Sequence, residues 1–361
     1  KLNYTIDRLC DNLSNMYQEE KEIIWNNYIN EVSKNIDKEN AIVLFDDSDI
    51  NKEYSKKLED LDRVIDGSSQ DKKIVNGYHV CEATVLSMNN KQPMSIYSKI
   101  YSCKSKNFVS KNTYTLESIK AAENMIGEKF IGVFDRGYDD NKIFKYMSNN
   151  KHEFVVRLDD ERILLFKGKK RSVGEVAKTR KGKISYKALF DDSEEYELML
   201  SYTKATLPAN KEEYTLVIVY GLSEKSPMKL LTNINIKDKA DVIKVVRLYL
   251  SRWRIEEHFR GKKQEYDFEN MRVRTLESMN TLNMMLTIHL GHIAILADKI
   301  DKKLLTIKIL YASKSLKDKS IVWLSQIARG IKNILAYAHT GIRDWLEIET
   351  REKFKQLELK L

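Results

Sequence analysis

Two short runs in which no residue is polar do most to limit the folds open to this chain: Ala41-Ile42-Val43-Leu44-Phe45 and Phe130-Ile131-Gly132-Val133-Phe134. A strand with one wet face alternates apolar and polar residues. Runs this short without alternation read as strands covered on both faces. The first stops at Asp46-Asp47-Ser48-Asp49 and the second at Asp135-Arg136-Gly137. Between them lie two strand-like segments near 74–88 and 94–102, rich in Ile, Val, Tyr and Thr. A helix follows, with Thr115 as its N-cap and Glu117 in its first turn, running to about residue 128. Asp139 or Asp140 caps another short helix, and Phe154 to Leu158 reads as the next strand. The order is β-β-β-α-β-α-β, an α/β chain with a layered sheet.

The rest divides by pattern. Residues 1–38 are helical, with Leu9, Leu13, Met16 and Tyr17 at helical spacing, and 39–159 form the first part of the sheet. Residues 160–238 break into short strands between charged turns, an antiparallel β-rich insertion because the links are too short for helical crossovers. Residues 239–300 return to helix and complete the core, and 301–361 form a C-terminal helical region. Ser278 to Ala297 carries no charge over 20 positions, yet includes Asn280, Asn283, Thr287, His289 and His292, which suits a buried helix better than a membrane span. The chain opens on lysine rather than methionine, so a preceding piece is expected.

Charge narrows the partners. Over 361 residues there are 62 Lys and Arg against 53 Asp and Glu, a net +9, which favours a polyanion, nucleic acid or an anionic membrane surface. Cys10, Cys81 and Cys103 are widely spaced with no C-x-x-C pair, which argues against structural zinc and disulfides and for a reducing compartment. His79, His258, His289 and His292 lack ligand spacing and read as structural.

If the two apolar strands are neighbours, their terminal carboxylates converge, and a hard divalent ion such as Mg²⁺ suits such oxygen-only ligands. The bland reading is that Asp ends strands because it starts turns. A third feature is the helix LYLSRWRIEEHFRGKK. At 100° per residue, Tyr249, Arg252, Glu256 and Lys263 fall within roughly 60° of one another, flanked by Trp253 and Arg260. A solvated face with i,i+4 ion pairs is the alternative.

Tyr249, Arg252, Glu256 and Lys263, at those spacings and within RWRIEE, resemble the Y-R-E-K signature of the bacterial insertion-sequence DDE transposases. Asp135-Arg136-Gly137 resembles the family's second acid. Asp47 followed by Ser48 resembles the first, although strand alternation leaves Asp46 open. The resemblance covers roughly residues 40–300. It implies a ribonuclease H-like mixed sheet with flanking helices, interrupted by a β-rich insertion before the last acidic helix.

It further implies that Asp47, Asp135 and Glu256 hold two Mg²⁺ or Mn²⁺ ions. The activity would be metal-dependent nicking of transposon ends and transfer of the 3′-hydroxyl into target DNA, by phosphodiester hydrolysis and transesterification. Tyr249, Arg252 and Lys263 would grip DNA phosphates, with Trp253 beside them through base stacking or packing; Arg136 reads either as a further DNA contact or as an ion pair that stabilises its loop. DNA and a second copy of the chain in a synaptic homodimer are the implied partners, in a bacterial, nucleoid-associated cytoplasmic setting. Two other readings differ in function: a DNA-binding transposase descendant without catalysis, and a ribonuclease H-like nuclease without strand transfer. Asp49, Asp139 and Asp140 read as turn or cap residues, and Gly137 as a relief of the backbone after the strand.

Overall fold

The computed structural model describes residues 16–299, except 67–70, 72, 128, 191–193 and 224–225, together with residues 13, 327, 329–331 and 333. Most of the expected helices at 1–38 and 301–361 therefore lie outside the described residues, apart from helix α1 (Gln18–Ser33).

Both apolar runs form central strands, β1 (Ile42–Asn51) and β5 (Ile131–Phe134), paired in parallel from Ile42↔Ile131 to Phe45↔Phe134. Three more strands precede β5: β2 (Asp62–Ile65), β3 (Ile74–Leu86) and β4 (Pro93–Tyr101). Strand β3 runs antiparallel to β1, and both β2 and β4 pair antiparallel with β3. Helix α2 (Lys111–Ile126) then crosses to β5, and α3 (Asn141–Asn149) crosses from β5 to β6 (Glu153–Arg157), parallel to it. The resulting order β4-β3-β1-β5-β6 is that of a ribonuclease H-like sheet.

Thr115 is not the N-cap of α2. The helix begins four residues earlier after Ser110, and Thr115 lies buried within its second turn. The local cap signal was overridden because Ser110 already has extended backbone angles (φ −166°, ψ 160°). Asp140 does cap α3, accepting from the Lys142 N–H at 2.7 Å.

The β-rich stretch comprises β7 (Ile163–Phe166), β8 (Lys169–Ser172), the short helix α4 (Val173–Lys178), β9 (Ile184–Phe190), β10 (Glu194–Thr206), β11 (Glu213–Tyr220) and β12 (Met228–Thr232). Its strands pair antiparallel, and β12 pairs antiparallel with β6, so the insertion prolongs the same sheet to 12 strands.

The long helix expected after residue 239 is broken. Helix α5 (Lys239–Leu250) ends at a turn, α6 (Trp253–Arg260) follows, and a single π-turn (Gly261–Glu265) closes it. Helix α7 (Leu276–Lys299) covers β4, where Asn280 bridges the Ile100 N–H and C=O at 2.9 and 3.0 Å. Among the described residues no helix is long and apolar enough to cross a membrane.

The sheet has a core on each face. Val43, Phe45, Phe134 and Phe154 pack under α2 and α3, with Phe45 stacked on Phe134 at 4.5 Å. Leu44, Ile131, Val133 and Val155 pack under Val242, Val245, Ile255 and Phe259 of α5 and α6. This division decides which carboxylate at the end of β1 meets which helix.

Candidate active site

Side chains alternate across a strand, so residues in register on neighbouring strands share a face. Phe45 is level with Phe134, and the next residues, Asp46 and Asp135, therefore leave their strands on one face. That face also carries Leu44 and Val133 and is the one covered by α5 and α6. Asp47 leaves on the other face, shared with Phe45, and its Oδ1 accepts from the buried Tyr138 hydroxyl at 2.9 Å. The expectation of Asp47 beside Asp135 and Glu256 thus departs from the strand register. Ser48 pointed to it through sequence adjacency, but adjacency reverses the face.

The turn between α5 and α6 supplies the remaining groups. Arg252 Nη1 donates to Asp46 Oδ2 at 2.8 Å, its Nη2 to Glu256 Oε1, and its Nε lies 4.0 Å from Asp135 Oδ1. The Tyr249 hydroxyl donates to the same Asp135 oxygen at 2.9 Å. Asp46, Asp135 and Glu256 therefore meet around one guanidinium. Tyr249 and Arg252 belong to the site, but by the end of one helix and the start of the next rather than as a stripe on a continuous helix.

The electrostatics reflect three anions around one cation. Burial, and then the nearby Asp135, Asp47 and Glu256, push the Asp46 carboxyl up to about 7 despite the opposing pull of Arg252. Burial also raises Asp135, but Arg252, the Arg136 N–H and Tyr249 outweigh it and hold this carboxyl below its usual range. Burial and Asp135 push the Tyr249 hydroxyl up to about 12, so it remains a donor. The site is short of positive charge, and its donors are all hard oxygens. Both properties fit a divalent ion of the Mg²⁺ type.

Other predicted residues are engaged nearby. Lys263 pairs with Glu269 at 3.1 Å, and Arg136 forms an exposed pair with Asp159 at 3.6 Å. The Arg254 guanidinium lies over the Trp253 ring, 4.5 Å from its centroid. Gly137 sits in a short 3₁₀ turn without positive φ, and a Cβ there would meet nothing within 4 Å. Backbone relief therefore does not explain that glycine.

One buried network was not expected. Glu82 on β3 is level with Asp46, and it accepts from Lys262 Nζ through both oxygens, at 2.9 and 2.7 Å. Lys262 also meets Ser98, Asn283 and Thr287 at 3.0 to 3.2 Å, and His258 Nε2 lies 3.0 Å from Glu82. Burial opposes the Glu82 charge, but Lys262 and then His258 overcome it and lower this carboxyl to about 2. Burial lowers His258 against the opposing pull of Glu82, and its Nδ1 has no hydrogen-bond partner among the described residues. The network pins the end of α6 to the sheet and to α7. Its sequence trace was the set of polar residues in an otherwise uncharged helix.

The family model for the transposase DDE domain matches residues 101–290, more than half of the chain. The chain belongs to this DDE transposase family. The matched span holds Asp135, Tyr249, Arg252, Glu256 and Lys263, whereas Asp46 and Asp47 precede it. No curated protein matches this DDE-family chain. Among solved structures it is similar to a piggyBac transposase in a synaptic complex with hairpin DNA, at 12% identity and a TM-score of 0.45. That similarity covers 90% of this chain and 60% of that one, so the chain spans less than two thirds of its length. It is also similar to the NurA nuclease from Sulfolobus solfataricus, at 10% identity and a TM-score of 0.29, covering 84% of this chain and 97% of that one.

Proposed function

We propose that the chain is the catalytic part of a DNA transposase that nicks transposon ends and joins the freed 3′-hydroxyl to target DNA. The reading rests on one observation above the others: Asp46 and Asp135 share the sheet face over which Arg252 and Glu256 are presented, in a chain of the DDE family. Asp46 takes the part of first acid in this proposal, with Asp135 second and Glu256 third.

These three carboxylates would hold Mg²⁺ or Mn²⁺, which when bound activates a water or hydroxyl and neutralises charge on the leaving oxygen. The protein's own groups orient and balance the site. Tyr249 fixes one oxygen of Asp135. Arg252 keeps three mutually repelling acids together, and its planar fork also suits a phosphate. Lys263, Arg136 and Trp253 are the further DNA contacts proposed, and a homodimer on paired ends is the proposed assembly. The net charge of +9 supports a polyanionic partner.

The test is nicking of supercoiled plasmid DNA with Mn²⁺, read together with DNA affinity. Asp46→Asn, Asp135→Asn and Glu256→Gln are each expected to reduce nicking to background while binding persists. Asp47→Asn is expected to retain activity within about tenfold, because the amide oxygen can still accept from the Tyr138 hydroxyl and no reacting group is removed. Background activity in Asp47→Asn with normal nicking by Asp46→Asn would restore Asp47 as first acid. Nicking by Glu256→Gln at the parent rate would remove the third. Absence of joined products in an active preparation would favour a nuclease.

A further inference from the structure

We propose that Asp62, His79 and Cys103 form a second cation site, for a four-coordinate borderline ion of the zinc class, on the sheet face opposite the three acids. Their donor atoms all lie within 4.8 Å of one another, and among the described residues no other such group of three was found. The faces follow from register. His79 is level with Asp49 and Tyr101, and Asp62 is level with Gly77, two residues from His79. Glu82, level with Asp46, is three residues from His79 and so points the other way.

The chemistry of the donors separates this site from the first. Thiolate, imidazole and carboxylate together suit Zn²⁺ and its neighbours, whereas Mg²⁺ avoids sulfur. Zinc bonds of 2.0–2.3 Å in a tetrahedron require donors about 3.3–3.8 Å apart. His79 Nε2 and Asp62 Oδ2 are 3.9 Å apart, so only a slight closure is needed. The imidazole is already oriented: Nδ1 lies 3.0 Å from Asp49 Oδ1, which is placed to accept from an Nδ1–H and so turn Nε2 toward the metal position. The Tyr101 ring packs against the imidazole at 5.3 Å. The Cys103 and Arg63 N–H groups donate to Asp62 at 2.7 and 2.8 Å, so its carboxylate is held in place.

Such an ion would tie β2 and β3 to the segment that leaves β4 toward α2, with β1 engaged through the Asp49–His79 contact. Cys103 is exposed, so solvent metal can reach it, and a water would complete the fourth position.

The test is titration of the metal-stripped full chain with Co²⁺, whose thiolate bonds give a charge-transfer absorption. One equivalent is expected to develop that band. Cys103→Ser should abolish it, while Cys81→Ser and Cys10→Ser keep it. Asp49→Asn should weaken binding by about 10–100-fold. Glu256→Gln should leave the band unchanged, which separates this site from the three acids. A chain that takes up no Co²⁺ through sulfur, or a band that survives Cys103→Ser, would overturn the proposal and leave a His79–Asp49 hydrogen-bonded pair only.

Discussion

Asp46 and Asp47 differ by one position and by everything that follows from it. Their side chains leave opposite faces of β1, one toward Arg252 at 2.8 Å and the other toward Tyr138 at 2.9 Å. Sequence offered no means to choose, because both faces of the strand are apolar and a following Ser48 speaks only of adjacency. A hydrogen bond to a charged group contributes about 1.5–3 kcal/mol, and 1.4 kcal/mol is about tenfold in rate. If the Tyr249 hydroxyl holds Asp135 for reaction, Tyr249→Phe should slow nicking at saturating DNA by roughly ten- to a hundredfold. An unchanged rate would reduce that bond to a contact of the resting protein.

At the scale of elements, the decisive feature is the interruption of the acidic helix. Had residues 239–264 formed one straight helix, a single face would have carried Tyr249, Arg252, Glu256 and Lys263. The turn at 251–252 brings Arg252 among the acids, and the π-turn at Gly261–Glu265 contains Lys262, fully buried against Glu82. Breaking a buried ion pair from one side costs about 3–5 kcal/mol, because the remaining charge has no partner. Lys262→Met should lower stability by that amount in urea unfolding. A Glu82→Met, Lys262→Met double variant should recover most of it, since replacing both charges by apolar groups is often close to neutral. Additive losses in the double variant would mean that the two residues act independently.

For the whole molecule, the same network is expected to contribute to the acid limb of stability. The Glu82 carboxyl is at about 2 in the folded protein and near 4.3 when unfolded. A depressed acid stabilises above its unfolded value and loses that contribution as pH falls through its folded value. The unfolding free energy from urea titration should therefore drop between pH 4.3 and 2, by about 3 kcal/mol for this group. Glu82→Gln should flatten that limb. A limb of unchanged steepness in the variant would assign the acid sensitivity to other carboxylates. The continuous sheet gives such local changes a wide reach, since the insertion strands extend it through β12 and β6 rather than standing apart.

What sequence determined by itself was local and periodic: buried strands from unbroken apolar runs, carboxylates at their ends, a helix cap at Asp139 or Asp140, and the spacing of Tyr249, Arg252 and Glu256. These depend on near neighbours along the chain, and so they are written in order. The tertiary structure decided what depends on register and on groups far apart in number. It turned Asp46 rather than Asp47 toward Glu256, buried Lys262 with Glu82, and gathered Asp62, His79 and Cys103 around one point. Pairing two strands fixes the face of every residue on both, and no single strand carries that information.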